Sequence, residues 1–146
     1  MKKLLLSAGL AGAVTASLLT FTAPAEAATG KCPLQATYAV SFCLYYNSNM
    51  SSAYYRWFGV QEVKDLKGYT FPNNGNGAGA GQPVKNNSAA ASLSAEGGVV
   101  SQNITVRVFF NSGFLGTYDT VVSNTNKQLV NAYNEDASWK LYASGG

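Results

Sequence analysis

Leu44-Tyr45-Tyr46-Asn47-Ser48 returns in altered form as Val108-Phe109-Phe110-Asn111-Ser112. In both places a short apolar strand ends in two aromatics, and Asn-Ser follows as a turn signal. A second echo trails each. Asp65-Leu66 opens a run that reaches Asn86-Asn87-Ser88-Ala89-Ala90, and Gln128-Leu129 opens one that reaches Asn134-Glu135-Asp136-Ala137-Ser138. Similar elements in a fixed order, repeated once, predict two copies of one supersecondary unit.

Working outward, residues 37–40 read as extended. Phe42, Leu44 and Tyr46 then share one strand face, while Cys43 and Tyr45 share the other. Residues 53–58 are rich in aromatics and predict the return strand of a hairpin. Residues 60–66 suit a short helical turn or a loop, and 69–71 a short strand stopped by Pro72. Residues 73–81 are almost all Asn, Gly and Ala, a composition that predicts a mobile loop. A tight turn at 86–90 leads to a strand at 91–93, and 94–103 connects the units. Ile104, Val106, Val108 and Phe110 alternate with Thr105, Arg107 and Phe109, the clearest strand in the chain. A turn at 111–116, a return strand at 117–121, one or two helical turns within 126–133 and a last strand through Trp139, Leu141 and Tyr142 complete the second copy. Residues 144–146 are a tail. The units, about 36–93 and 104–142, predict an all-β fold of two packed antiparallel sheets with Greek-key crossovers.

The start of the chain has a different character. Lys2 and Lys3 precede an uncharged run from Leu4 to Ala25, and Ala25-Glu26-Ala27 fits a small-residue cleavage site. The expectation is a signal peptide over 1–27, an exported domain over 28–146, and release to the extracellular medium with no membrane association after processing. The exported part is one ordinary domain, large enough to bury about two-thirds of its unfolded surface. It carries eight basic and six acidic residues, scattered along the chain. That balance excludes the electrostatic footprint of a nucleic-acid binder. Cys32 and Cys43 are the only cysteines. An oxidising destination makes them a disulfide by elimination, worth about 2–3 kcal/mol for so short a loop.

The ordered motifs carry a family resemblance. Cys32 with Pro33, Cys43-Leu44-Tyr45-Tyr46-Asn47-Ser48-Asn49, Val84-Lys85-Asn86-Asn87-Ser88-Ala89-Ala90, Val108-Phe109-Phe110-Asn111-Ser112 and Tyr133-Asn134-Glu135-Asp136-Ala137-Ser138 together resemble the secreted actinobacterial peptidase-inhibitor family with a βγ-crystallin-like fold, the Streptomyces-type metalloprotease inhibitor group. The resemblance spans nearly all of the exported chain. It implies a two-motif Greek-key β-sandwich and an extracellular protease as partner. The family's second disulfide has no counterpart here, since no cysteine follows Cys43.

Catalysis finds little support in the composition. The chain has no histidine, and no serine has a base nearby in a recognisable motif. Glu62 with Asp65, or Glu135 with Asp136, are the carboxylate pairs that glycosidic chemistry would use; ordinary solvated acids beside turns is the plainer reading. Calcium is a different matter, because microbial βγ-crystallins bind it with paired Asn/Asp followed by Ser/Thr-Ser. Asn86 and Asn87 keep the amides, with Ala90 and Ala91 at the hydroxyl positions. Asn134, Glu135 and Ser138 keep part of the second copy. Any calcium site is expected to be single and weak, since calcium needs a cage of hard oxygens. Exposed rings among Tyr45, Tyr54, Tyr55, Trp57, Tyr69 and Phe71 would stack on polysaccharide; core packing is the favoured reading. The glycine run 75–81 lacks a phosphate-loop ending. The connection 94–103 is the preferred contact loop. The expected function is therefore a secreted, non-enzymatic binding protein that occludes an extracellular peptidase with a loop, the alternative being a glycan- or calcium-binding module of the envelope or medium.

Overall fold

Strand alternation decides which side chains meet between the sheets. In β1 (Val40–Tyr45), Phe42 and Leu44 enter the main core while Cys43 and Tyr45 face a second, smaller cluster. The computed structural model describes residues 32–97 and 104–143. The expected signal peptide at 1–27, residues 98–103 of the expected connection, and the tail at 144–146 lie outside the described residues.

The other strands are β2 (Tyr54–Phe58), β3 (Glu62–Val63), β4 (Ala90–Ala95), β5 (Ile104–Asn111), β6 (Leu115–Val122), β7 (Thr125–Gln128) and β8 (Ser138–Ala143). They form two four-stranded sheets, ordered β2-β1-β4-β7 and β3-β8-β5-β6. Every pairing between these strands is antiparallel. Each unit sends its third strand to the other unit's sheet: β3 pairs β8, and β7 pairs β4. The duplication is visible in the register. Ser41↔Phe58 and Tyr45↔Tyr54 in the first hairpin become Thr105↔Val122 and Phe109↔Tyr118 in the second. Tyr45↔Ala90 becomes Phe109↔Ser138. Met50 and Phe114 both take positive φ, of 58° and 64°, and so do Asn86 and Asn134, at 61° and 52°.

The halves meet along an approximate two-fold axis. The Asn86 N–H donates to the Asp136 carbonyl at 2.8 Å, and the Asn134 N–H donates to the Ser88 carbonyl at 2.9 Å. Leu66 N–H to Ala137 carbonyl and Leu129 N–H to Ala89 carbonyl repeat the relation farther out. The core fills with Phe42, Trp57, Trp139, Leu44, Leu66, Leu93 and Leu129 between the sheets. Trp139 is fully buried and packs 4.8 Å from Phe42 and 5.2 Å from Trp57, centroid to centroid.

Five local expectations change. Residues 60–66, expected as a helical turn or a loop, supply β3, and the stretch 126–133, expected to hold helical turns, begins inside β7. Both are short and polar on one face, so the period-two signal is too brief to read, and cross-unit pairing makes them strands. Tyr69 to Phe71 is not a ladder strand; it contributes one bridge, Thr70↔Pro83. Residues 94 and 95 belong to β4 and not to the connection. The glycine-rich stretch is a hydrogen-bonded arch. Its Asn74 side chain accepts from the Tyr54 N–H at 2.8 Å and donates to the Tyr54 carbonyl at 2.9 Å. Ala53 N–H donates to Ala78 carbonyl, and Asn76 N–H to Ser51 carbonyl. Gly79 lies against Tyr46, where a Cβ would fall 2.1 Å from the ring, so only glycine fits.

Asn74 thereby imitates a neighbouring strand. In β2 the outward-facing backbone groups belong to Tyr54, Arg56 and Phe58, because Tyr46 and Gly59 bond inward partners. Tyr54 is closed by Asn74, and the Phe58 carbonyl accepts from the Gln61 side chain. The second edge strand repeats the device: Asn131 donates to the Tyr118 carbonyl and Thr125 to the Val122 carbonyl. β2 and β6, one edge strand of each sheet, are thereby blunted against pairing with another chain.

Ser88 and Asp136 occupy equivalent places at the axis and bond each other. The Ser88 N–H donates to Asp136 Oδ1 at 2.9 Å, and Ser88 Oγ lies 2.7 Å from Asp136 Oδ2. Burial pushes the Asp136 carboxyl up to about 8, against the opposing effect of the Ser88 hydroxyl and backbone donors. The geometry suits the protonated form. A protonated carboxyl donates to Ser88 Oγ, which frees the serine proton for the Val84 carbonyl at 3.3 Å.

Two outcomes follow from these bonds. Asn74→Ala removes both contacts to Tyr54 and lowers unfolding stability by about 1–2 kcal/mol in urea titration. It also exposes the β2 edge, so the variant self-associates at concentrations where the parent stays monodisperse. Asp136 binds its proton in the fold at pH values where the unfolded carboxyl, near 4, has lost it. The native state then holds more protons between about pH 4 and 8, so stability falls as pH rises through that window and levels off above it. Asp136→Asn keeps a donor toward Ser88 Oγ and an acceptor for its N–H, and the urea midpoint becomes flat from pH 5 to 9. A parent midpoint that climbs over that range would contradict the assignment.

Candidate functional site

The duplication gives the molecule two equivalent outer sheet faces, and their fates differ. On the first sheet the outward residues of β1 are Ser41, Cys43 and Tyr45, all buried. The chain's own N-terminal arm covers Ser41 and Cys43, and Tyr45 beside them packs with Cys32, Tyr54 and Met50. Cys32 is disulfide-bonded to Cys43, with Cα atoms 5.4 Å apart, and its N–H donates to Ser92 Oγ at 2.9 Å. The Pro33 carbonyl accepts from Ser41 Oγ at 2.9 Å and from Arg56 Nη1 at 3.4 Å. The pairing of Cys32 with Cys43 expected from the sequence is present, and no free cysteine remains.

On the second sheet no described segment lies across the equivalent face. Arg107 stands where Cys43 stands in the first copy, as the register shows: Cys43 opposes Arg56 and Ser92, and Arg107 opposes Thr120 and Lys140. The Arg107 guanidinium lies between two rings, 4.6 Å from the Tyr118 centroid and 4.6 Å from that of Tyr142. Lys140 Nζ sits 5.3 Å from the Phe114 ring and 3.0 Å from Glu62 Oε2. Arg107 has no carboxylate partner among the described residues. Beside this row, the β5–β6 hairpin and edge expose Leu115 (63%), Val122 (48%), Phe110 (40%) and Tyr118 (40%).

The hairpin that carries Phe110 and Leu115 is held stiffly. Ser138 Oγ donates to the Asn111 carbonyl at 2.6 Å and accepts from the Phe114 N–H at 3.0 Å. The Gly113 N–H donates to the Lys64 carbonyl at 2.6 Å. Phe114 and Gly116 adopt positive φ at the turn, and the Phe114 ring packs 5.9 Å from Phe109.

The residues named for calcium fall in two places. Asn86 and Asn134 are exposed turn residues whose backbones join the halves, and Glu135 is exposed beside Asn134. Asn87 donates its side-chain amide to the Lys85 carbonyl. Ser138 has both its hydroxyl functions committed to the hairpin. Near the Asn86 turn, Lys85 Nζ bonds Asp65 at 2.7 Å and Ser112 Oγ at 2.9 Å, so a cation from the chain itself already takes the nearest carboxylate and hydroxyl. Lys85 also holds Asp65 below the usual carboxylate range, helped by the Lys67 N–H. These donors make a poor calcium cage. The proposed carboxylate pairs are not brought together for acid–base work either: Glu62 pairs with Lys140, Asp65 with Lys85, and Asp136 is sealed at the axis.

Of the rings named for stacking on sugars, Tyr45, Tyr54, Trp57 and Phe71 are buried, and Tyr55 and Tyr69 pack against the core. Sequence reading missed Arg107, Tyr118, Lys140 and Tyr142. Arg107 was legible as the polar member of the clearest alternating strand. Its two rings lie diagonally on separate strands, so only the register brings them to it.

No family model and no curated protein matches the chain. Solved structures do. A chain described under "Evolution of the eye lens beta-gamma-crystallin domain fold" aligns with a TM-score of 0.50 at 13% identity, over 74% of this chain and 89% of that one. The N-terminal domain of protein S aligns with a TM-score of 0.47 at 14% identity, over 73% of this chain and 99% of that one. At such identities the likeness concerns architecture alone. With the exchanged third strands, the paired Greek keys and the first of these alignments, the chain has a βγ-crystallin-like fold.

Proposed function

We propose that the protein is an exported, non-catalytic binding protein that docks a protein partner on the open face of its second sheet, and that the partner is an extracellular peptidase. The observation that carries this reading is the braced β5–β6 hairpin. It presents Phe110 and Leu115 on a turn fixed by Ser138, next to an uncovered row of Arg107, Tyr118 and Tyr142. Inhibition by occlusion needs a segment that loses little freedom on binding, and a braced turn meets that need. Arginine and tyrosine at the centre with an apolar margin match the composition of protein-binding hot spots. The order of motifs shared with secreted peptidase inhibitors points the same way, as does the disulfide, which suits an oxidising compartment. No helix among the described residues is long and apolar enough to cross a membrane.

The inhibitory element in this reading is the hairpin and not the glycine-rich arch, which lies flat on the β2 edge. Donor chemistry weighs against the calcium alternative, and the engagement of ring faces by cations weighs against sugar stacking.

Assayed against a panel of secreted metallo- and serine peptidases, the protein inhibits at least one. Leu115→Asp and Phe110→Asp weaken that inhibition by about tenfold or more while leaving the melting temperature near that of the parent. Inhibition unaffected by either change, or none across the panel, contradicts the proposal. Calcium at millimolar concentration leaves the melting temperature unchanged, whereas a saturable rise would restore the metal site.

A further inference from the structure

The two equivalent faces allow the missing occupant of one to be read from the occupant of the other. On the first sheet the cover is the arm that begins at Cys32: its first residues, Cys32 to Leu34, lie extended across β4, β1 and β2, and Gln35 to Tyr38 then form a turn closed by the Tyr38 N–H on the Gln35 carbonyl. Four residues hold it: Cys43 bonds the Cys32 side chain, Ser92 accepts the Cys32 N–H, and Ser41 and Arg56 both donate to the Pro33 carbonyl. On the second sheet the equivalents of Ser41 and Arg56 are Thr105 and Thr120. Both are half-buried, and both keep a hydroxyl able to donate to a peptide carbonyl. The equivalents of Cys43 and Ser92 are Arg107 and Lys140. The two groups that grip the Cys32 residue have thus become two cations.

We infer that the open face receives an extended segment of a protein partner, laid as the chain's own arm is laid on the first sheet, with an aspartate or glutamate at the place of Cys32 docked on Arg107. The ion pair takes the role that the disulfide plays on the other side. The inference rests on the reading of this face as a binding surface and adds the chemistry of what binds. Arg107 suits the part because it is held between Tyr118 and Tyr142 with no carboxylate partner among the described residues, so its planar fork is already oriented. Lys140 reinforces the positive field, with Glu62 as the one described acid beside it. An acidic polysaccharide offers the same charge, but the exposed Leu115 and Val122 beside the row fit apolar side chains, and Tyr118 and Tyr142 already spend a ring face on the guanidinium.

Two synthetic peptides test this. Both copy the arm from Cys32 to Tyr38; one carries Cys32→Glu and the other Cys32→Gln. Each is titrated into the protein by NMR, with polygalacturonate as a third arm. The Glu peptide should move the Tyr118 and Tyr142 ring signals and the Arg107 Nε signal, and bind about tenfold more tightly than the Gln peptide, as expected for a desolvated charge pair. Arg107→Gln should remove that preference and Arg107→Lys should restore part of it, with melting temperatures confirming that both variants fold. Equal binding of the two peptides, no shift on this face at millimolar peptide, or polygalacturonate binding here in place of the peptides would each overturn the inference. Loss of peptidase inhibition in Leu115→Asp with no effect of Arg107→Gln would leave the binding face standing and remove only the acidic segment.

Discussion

Exchange of the third strand is the constraint on which the rest of the molecule depends. β3 leaves the first unit to pair with β8, and β7 leaves the second to pair with β4. Neither sheet is complete until both units are folded, so neither half can close its own core. The exchange also brings the turns after the crossovers together on one axis, where Asn86 and Asn134 bond across it. Perfect symmetry at that axis would be costly. Two aspartates in the places of Ser88 and Asp136 would set like charges together in a dry site, and two serines would leave the Ser88 N–H without its carboxyl acceptor. A serine facing an aspartate satisfies the donors on both sides with one titratable group, and so the axis is where the copies had to diverge.

Divergence elsewhere follows a simple pattern: what binds the chain to itself in one copy is free in the other. Cys43 and Ser92 clamp the arm, whereas Arg107 and Lys140 hold no described segment. Tyr54 is covered, while its equivalent Tyr118 is exposed. Asp119 shows a third solution. It stands where Tyr55 stands, and its buried carboxylate gathers the N–H groups of Val130 and Ala132 and the ammonium of Lys127. That carboxylate shapes the short loop after β7, the counterpart of the long arch after β3.

Much of this fold is legible in the chain because duplication doubles every weak signal. The aromatic pair before Asn-Ser identifies β1 and β5, and alternation assigns Phe42 and Leu44 to the core and Cys43 to the other side. The disulfide is legible because only two cysteines exist. The strands that cross between units are not legible. Glu62-Val63 and Thr125 to Gln128 carry too few apolar residues for periodicity, and the ladder that makes them strands lies in the other unit. Composition misleads at the arch for a related reason. Glycine and asparagine there are read as freedom, yet Asn74 and Asn76 spend their side chains on a neighbouring backbone and a turn. The proposed binding face was hidden because Arg107, Tyr118 and Tyr142 are separated in sequence and adjacent only through register.

A β-sandwich offers a partner edges, bends, clefts and faces, and most of these are closed here. Of the four edge strands, β2 and β6 have side chains bonded to their outward carbonyls, which leaves Arg56 and Thr120 as isolated open positions, and β3 and β7 are only two and four residues long, too short to template an added strand. Two clefts among the described residues, of about 430 Å³ beside the arm and about 330 Å³ beside Asn74, are open and lined by segments already bonded to the sheet. The first face is occupied by the arm. What remains is the second face and its hairpin, where apolar side chains are exposed and Arg107 has no counter-charge among the described residues. Leaving such a group uncovered carries a solubility cost that a purely structural domain has no reason to bear. A partner that covered it would have to complement it in both shape and charge.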